Sequence, residues 1–131
     1  MSGINGLRCL VVDDNELNRM VLTELLKIDG ASVTALTSGQ EAINELSANA
    51  LNYDVVLMDI QMPGMDGLEA TRRIRERIPT RDLPIIAVTA DGAGLNTAAL
   101  RAAGMQGLIE KPLDSEILMS LLGKVSRENE R

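Results

Sequence analysis

Histidine, tryptophan and phenylalanine are all missing from this sequence, and Tyr53 is its only aromatic residue. Without histidine no Ser–His relay can operate. Without larger rings the core has to be assembled from Leu, Ile, Val, Met and Ala. Cys9 is the single cysteine, so no internal disulfide can form. Its setting in Arg8-Cys-Leu-Val-Val reads as a buried strand position, not a nucleophile. No apolar run approaches the roughly 18 residues that cross a membrane, and the N-terminus lacks a basic-then-apolar signal segment. The expectation is a soluble protein or domain facing the cytosol, without direct membrane contact. Positive charge is also scarce: 13 Lys and Arg stand against 19 Asp and Glu, for a net charge of -6. That argues against nucleic-acid binding by this domain, because neutralising phosphates takes a basic footprint. The one basic run, Arg72, Arg73, Arg75 and Arg77, reads first as a solvated helix face and second as a docking patch.

What is present suits one domain with a proper core: 131 residues, 45% apolar and 24% charged. The apolar pattern alternates between two modes. Short strand-like runs occur at 7–12, 31–36, 54–58, 83–89 and 107–110, and the fully apolar ones suggest a sheet covered on both faces. Helical spacing recurs between them: Leu17, Met20, Val21, Leu25 and Ile28; Ala42, Ile43 and Leu46; Leu68, Thr71, Ile74 and Ile78; and Ile117, Leu118, Leu121, Leu122 and Val125. Ser38 to Glu41 is a capping box, Asp66 to Glu69 a comparable acidic start, and Gly30 a helix end. Residues 91–103 are helical in their second half, while Gly92 and Gly94 suggest mobility before it. Residues 6–125 form the domain, and 126–131 are expected to be a polar, frayed tail.

Five β-α repeats imply a doubly wound α/β/α sandwich around a five-stranded parallel sheet. The sequence leaves the strand order open; the commonest choice, 2-1-3-4-5, puts a ligand crevice between the ends of strands 1 and 3. Polar groups cluster at those ends. Strand 1 runs into Asp13 and Asp14, strand 3 into Asp59, strand 4 into Thr89, and strand 5 reaches Glu110 and Lys111. Three carboxylates in one crevice repel, so either one keeps a proton or a cation enters. Oxygen donors without histidine or a usable thiol favour Mg²⁺ or Mn²⁺ over Zn²⁺. Such a cation would let a phosphate group approach Asp59, with Lys111 and Thr89 on its oxygens. No G-x-x-x-x-G-K-[ST] or G-x-G-x-x-G loop is present to hold a nucleotide.

The segments Leu-Val-Val-Asp-Asp-Asn at 10–15, Tyr53 to Arg75, Leu83 to Ala90 and Ala102 to Pro112 resemble the receiver domains of two-component signalling, over about residues 6 to 125. The run around Asp59 is most like receivers of hybrid sensor histidine kinases. The resemblance implies the flavodoxin-like receiver fold and a phosphorelay role. Asp59 would be the phosphoacceptor, taking the group from phosphohistidine on a sensor histidine kinase or histidine phosphotransfer domain. Asp14 and Asp59 would ligate Mg²⁺ directly, with the backbone carbonyl of Gln61, and Asp13 mainly through water. Thr89 and Lys111 would bind the phosphoryl oxygens, and the Lys111–Pro112 bond would be cis. A weak homodimer is compatible with this reading.

Two positions depart from the family. Leu108 stands where receivers commonly carry Tyr or Phe, which argues against a threonine-coupled aromatic switch. Asp91 adds negative charge near the pocket mouth. Two other functions compete. A receiver used only for phosphorylation-independent protein binding would have no need of Asp13, Asp14, Asp59, Thr89 and Lys111 together. A small aspartyl-nucleophile phosphatase would want a general acid two residues after the nucleophile, where Gln61 stands, and a cap segment that the chain is too short to supply. Met58, Met62 and Met65 are read as packing residues, Asp66 as a helix cap, and Glu110 as a surface group.

Overall fold

The computed structural model describes residues 5–79, 82–90, 97–111 and 114–129. Asp91, Gly92, Gly94 and the Lys111–Pro112 bond therefore lie outside, or reach beyond, the described residues. Five strands alternate with five helices: β1 (Arg8–Val12), α1 (Glu16–Ile28), β2 (Ser32–Leu36), α2 (Gly39–Asn49), β3 (Val55–Asp59), α3 (Gly67–Arg75), β4 (Ile85–Thr89), α4 (Thr97–Ala103), β5 (Gly107–Glu110) and α5 (Ser115–Asn129). A 3-10 turn, Ala50–Asn52, follows α2. The strands form one parallel sheet in the order β2-β1-β3-β4-β5, the order expected. No helix among the described residues is long and apolar enough to cross a membrane.

Strand side chains alternate between the two faces, and each face is covered. Cys9, Val11, Val55 and Leu57 meet Leu22 and Leu26 of α1 and Leu118 and Leu122 of α5. Leu10, Val12, Val56 and Met58 meet Ala42, Leu46, Ala70, Ile74 and Leu100 of α2, α3 and α4. β3 and β4 are buried throughout, whereas β2, at the sheet edge, is not. Cys9 is a structural residue, as expected: burial pushes its thiol up to about 12.

The helix starts follow the sequence signals. The Ser38 hydroxyl accepts from the Glu41 amide at 3.1 Å, while the Glu41 carboxylate takes the Thr37 amide at 2.6 Å. Asp66 accepts from the Glu69 amide at 2.9 Å, which makes it a cap. Gly30 follows the end of α1.

Three local expectations are corrected. The stripe Leu17, Met20, Val21 and Ile28 does not face the core; these residues are 66%, 58%, 44% and 77% exposed. Leu22 and Leu26 are buried instead, with Leu25 partly so. Leu17 and Leu26 are two and a half turns apart, hence on opposite sides of the helix: α1 carries two apolar faces, and only one meets the sheet. The second correction is Arg75. Its neighbours Arg72, Arg73 and Arg77 are solvated, but its guanidinium turns in to the Gly104 carbonyl at 2.9 Å and the Gln106 side chain at 3.1 Å. Burial pushes it down to about 10, so it stays charged at neutral pH. Third, α5 continues through Asn129; no Gly or Pro interrupts Ser126 to Asn129, so this part of the expected tail is helical.

Gly67 sets how closely α3 approaches the end of β3. A Cβ there would lie 2.3 Å from the Asp59 carbonyl oxygen and 2.9 Å from Ile60 Cα, both backbone atoms that cannot swing aside. The Gly67 amide donates to Ile60 O at 3.0 Å, closing the loop 60–66 beside Asp59. Gly64, at φ 75°, makes its turn. Gly67→Ala is expected to destabilise the protein by about 1–3 kcal/mol in urea unfolding, the range for overpacking; a loss under about 0.5 kcal/mol would show that α3 is free to retreat.

Candidate functional site

Parallel register brings the acidic residues together. Val12 of β1 pairs with Met58 of β3, so the next residue on each strand, Asp13 and Asp59, emerges side by side at the carboxyl edge. Asp14 follows Asp13 in the turn into α1. One carboxylate oxygen from each of Asp13, Asp14 and Asp59 lies within 4.8 Å of the others. Asp13 and Asp59 are buried, at 3% and 4% exposure, and Asp14 is exposed.

Each buried carboxylate is fixed through both oxygens. Asp13 Oδ1 accepts the Asn15 amide at 2.9 Å, and Asp59 Oδ1 accepts the Gln61 amide at 3.0 Å. Their Oδ2 atoms share Lys111, whose Nζ is 3.2 Å from Asp13 and 3.7 Å from Asp59. Lys111 is held in turn by its own amide, which donates to Thr89 O at 2.7 Å. Thr89, last residue of β4, is 1% exposed. Lys111 thus bridges the acids instead of pairing with exposed Glu110. The residues expected at the site, Asp13, Asp14, Asp59, Gln61, Thr89 and Lys111, all lie at this edge of the sheet.

The electrostatics are strained. The Asp59 carboxyl is pushed up from 3.8 to about 6, first by burial and then by the charge of Asp13, against the pull of the Gln61 amide and Lys111. Lys111 supplies one positive charge to three carboxylates. The donor set is all oxygen, with no nitrogen or sulfur ligand in the cluster, and it fits a hard divalent cation. Asp66 stays outside as a cap, and Met58, Met62 and Met65 pack in or against the core.

One member has no motif to announce it. Arg19 NH1 donates to the Asp13 carbonyl at 2.7 Å. Helical side chains lean toward the N-terminus, so an arginine early in α1 can reach back over the turn before it. A lone basic residue soon after an acid pair is the only sequence signal.

Comparison with known proteins decides the family. The model of the response regulator receiver domain matches residues 9–123. The chain belongs to the response regulator receiver domain family. Among its relatives, this receiver domain is 42% identical over 120 residues to a two-component response regulator of Oryza sativa subsp. japonica, covering 90% of this chain and 93% of that one. It is 39% identical to the sensor protein GacS of Pseudomonas syringae pv. syringae, covering 89% of this chain but 13% of that protein. The receiver domain therefore spans nearly all of one relative and a small part of the other. Among solved structures, the CheX–CheY–BeF3–Mg²⁺ complex from Borrelia burgdorferi superposes with a TM-score of 0.85 at 27% identity, over 94% of this chain and 95% of that one.

The raised Asp59 carboxyl has a consequence for stability. Folding raises its affinity for a proton, so this group adds stability as pH falls through 6 toward 4 and withdraws it as pH rises through 6. Asp59→Asn keeps the acceptor for Gln61 and removes the charge. In metal-free buffer at pH 7.5 it is expected to melt higher than wild type. Solvent at the pocket mouth screens part of the repulsion, leaving a gain on the order of 1 kcal/mol. The gap should narrow by pH 5, and a mutant less stable than wild type at both values would contradict this assignment.

Proposed function

We propose that this receiver domain takes a phosphoryl group from phosphohistidine onto Asp59, with Mg²⁺ as the cation and Mn²⁺ as a substitute. The observation that carries the reading is the convergence of Asp13, Asp14 and Asp59 within 4.8 Å under the reach of Lys111. The reaction forms an O–P bond to an Asp59 carboxylate oxygen and breaks the N–P bond, whose electron pair stays with the departing imidazole. Carboxylates of Asp13, Asp14 and Asp59, with the Gln61 carbonyl, would hold the cation, Asp13 mainly through water. When bound, the cation would supply positive charge to offset that of the carboxylates and the phosphoryl oxygens. Lys111 leaves Asp13 and Asp59 for a phosphoryl oxygen, and the Thr89 hydroxyl donates to another. The BeF3 and Mg²⁺ in the similar CheX–CheY complex support this chemistry.

The donor is a sensor histidine kinase or a histidine phosphotransfer domain, and the likeness to a hybrid signal transduction histidine kinase of Dictyostelium discoideum supports a place in a hybrid kinase phosphorelay. The outward face of α1 supports a protein donor. Leu17, Met20, Val21 and Ile28 form an exposed apolar stripe on the helix that starts two residues after Asp14, a patch of the kind that marks a protein-docking surface.

Transfer of radiolabel from a phosphohistidine domain tests the reading. Wild type is expected to take label on adding Mg²⁺, and neither Asp59→Asn nor chelator-treated protein should. Undiminished labelling of Asp59→Asn would overturn the assignment. Leu17→Ser with Met20→Ser is expected to slow transfer from the protein donor at least about tenfold, on the scale of interface hot spots, while labelling by acetyl phosphate stays near wild type. Equal loss with both donors would remove the docking role.

A further inference from the structure

The three acidic side chains are not held alike. Asp13 and Asp59 each have an oxygen on a backbone amide and an oxygen facing Lys111. Asp14 is exposed, and its carboxylate has no hydrogen bond or ion pair among the described residues. Its aim therefore depends on the backbone that carries it. The peptide unit between Asp13 and Asp14 is planar, so the direction of the Asp13 carbonyl fixes the plane from which Asp14 Cα departs. Arg19 NH1 holds that carbonyl at 2.7 Å. The Asp13 amide is tied to Leu36 O at 3.1 Å, and Asn15 beyond Asp14 is the cap of α1, accepting from the Asn18 amide at 2.9 Å. Arg19 is itself anchored one turn into that helix.

We propose that Arg19 is a positioning residue for the cation site: by holding the Asp13 carbonyl it aims the Asp14 carboxylate at the pocket. The inference rests on reading the acid trio as a Mg²⁺ site. Two effects of Arg19 oppose each other, and their signs separate them. The guanidinium, held at the Asp13 carbonyl and near Glu41, puts positive charge by the cation site, so through charge alone its removal tightens binding. Through position, its removal releases Asp14 from its aim and loosens binding. Arg19 keeps a second carboxylate on target at some electrostatic expense, and the positional effect is the larger.

Mg²⁺ is titrated calorimetrically into the full chain as wild type, Arg19→Met, Arg19→Lys and Asp14→Asn, and into Asp14→Asn carrying Arg19→Met. Thermal unfolding without metal runs alongside. Arg19→Met is expected to weaken binding about tenfold, the scale for groups that orient metal ligands. Arg19→Lys should recover part of the loss, since an ammonium can donate to the carbonyl but lacks the rigid fork. On the Asp14→Asn background, Arg19→Met should change the affinity little, because the charged ligand it aims has been replaced by a weak neutral one. Unchanged or tighter binding by Arg19→Met overturns the proposal, as does a full further loss on the Asp14→Asn background. Should Arg19→Met not fold, Arg19→Lys decides: weaker binding supports the proposal, and wild-type or tighter binding overturns it. A wild-type protein that binds no Mg²⁺ removes the cation-site reading itself, a separate failure visible before any variant is compared.

Discussion

Three carboxylates held within 4.8 Å with one lysine between them do not stabilise a fold; the rest of the structure has to hold them there. Ionised together they repel, and burial together with the charge of Asp13 pushes the Asp59 carboxyl up to about 6. The strain is bearable because the residues behind it cannot yield. Asp59 closes a strand buried along its whole length, and Asp13 follows a strand buried at four consecutive positions. Fully burying each large aliphatic side chain contributes about 1.5–3 kcal/mol, more than the local repulsion takes away.

The same constraint explains how the site is assembled. Parallel pairing places Asp13 and Asp59 side by side, and β4 and β5 deliver Thr89 and Lys111 to the same edge. Gly67 lets α3 close on the end of β3, and the amides of Asn15 and Gln61 take one oxygen from each buried acid. What is left over is negative charge directed at one point, suited to a divalent cation and, with it, a phosphoryl group. The opposite edge is tied differently, by Arg75 binding the Gly104 carbonyl and the Gln106 side chain. Leu108, where the family commonly has a ring, is partly buried against the cluster containing Leu100 and Met105.

Much of this could be read from the chain because strand identity and strand ends are local facts. Four of the five apolar runs end on polar groups, and a parallel sheet leaves those groups one edge to share, so the acid trio followed, while the order 2-1-3-4-5 is the commonest choice and the one the sheet adopts. The misreadings on α1 and at Arg75 share one cause: they concern which way a side chain turns. The apolar positions of α1 supply two stripes, and only the neighbouring sheet decides that Leu22 and Leu26 go inside while Leu17 and Met20 stay out. Arg75 reads like its neighbours until the carbonyl at Gly104 is in place to receive it. Arg19 acts on a backbone atom, and no residue type in the sequence marks a carbonyl in need of a donor.

The central claim is that Asp59 is the residue these arrangements prepare to receive a phosphoryl group. The most direct test is tandem mass spectrometry of the protein after incubation with acetyl phosphate, with and without Mg²⁺, mapping any phosphoryl group to its residue. The account predicts a single phosphoryl group on Asp59 that forms with Mg²⁺ and is absent when the cation is chelated. A phosphoryl group mapped to another residue, or no modification at all in the presence of Mg²⁺, would contradict it.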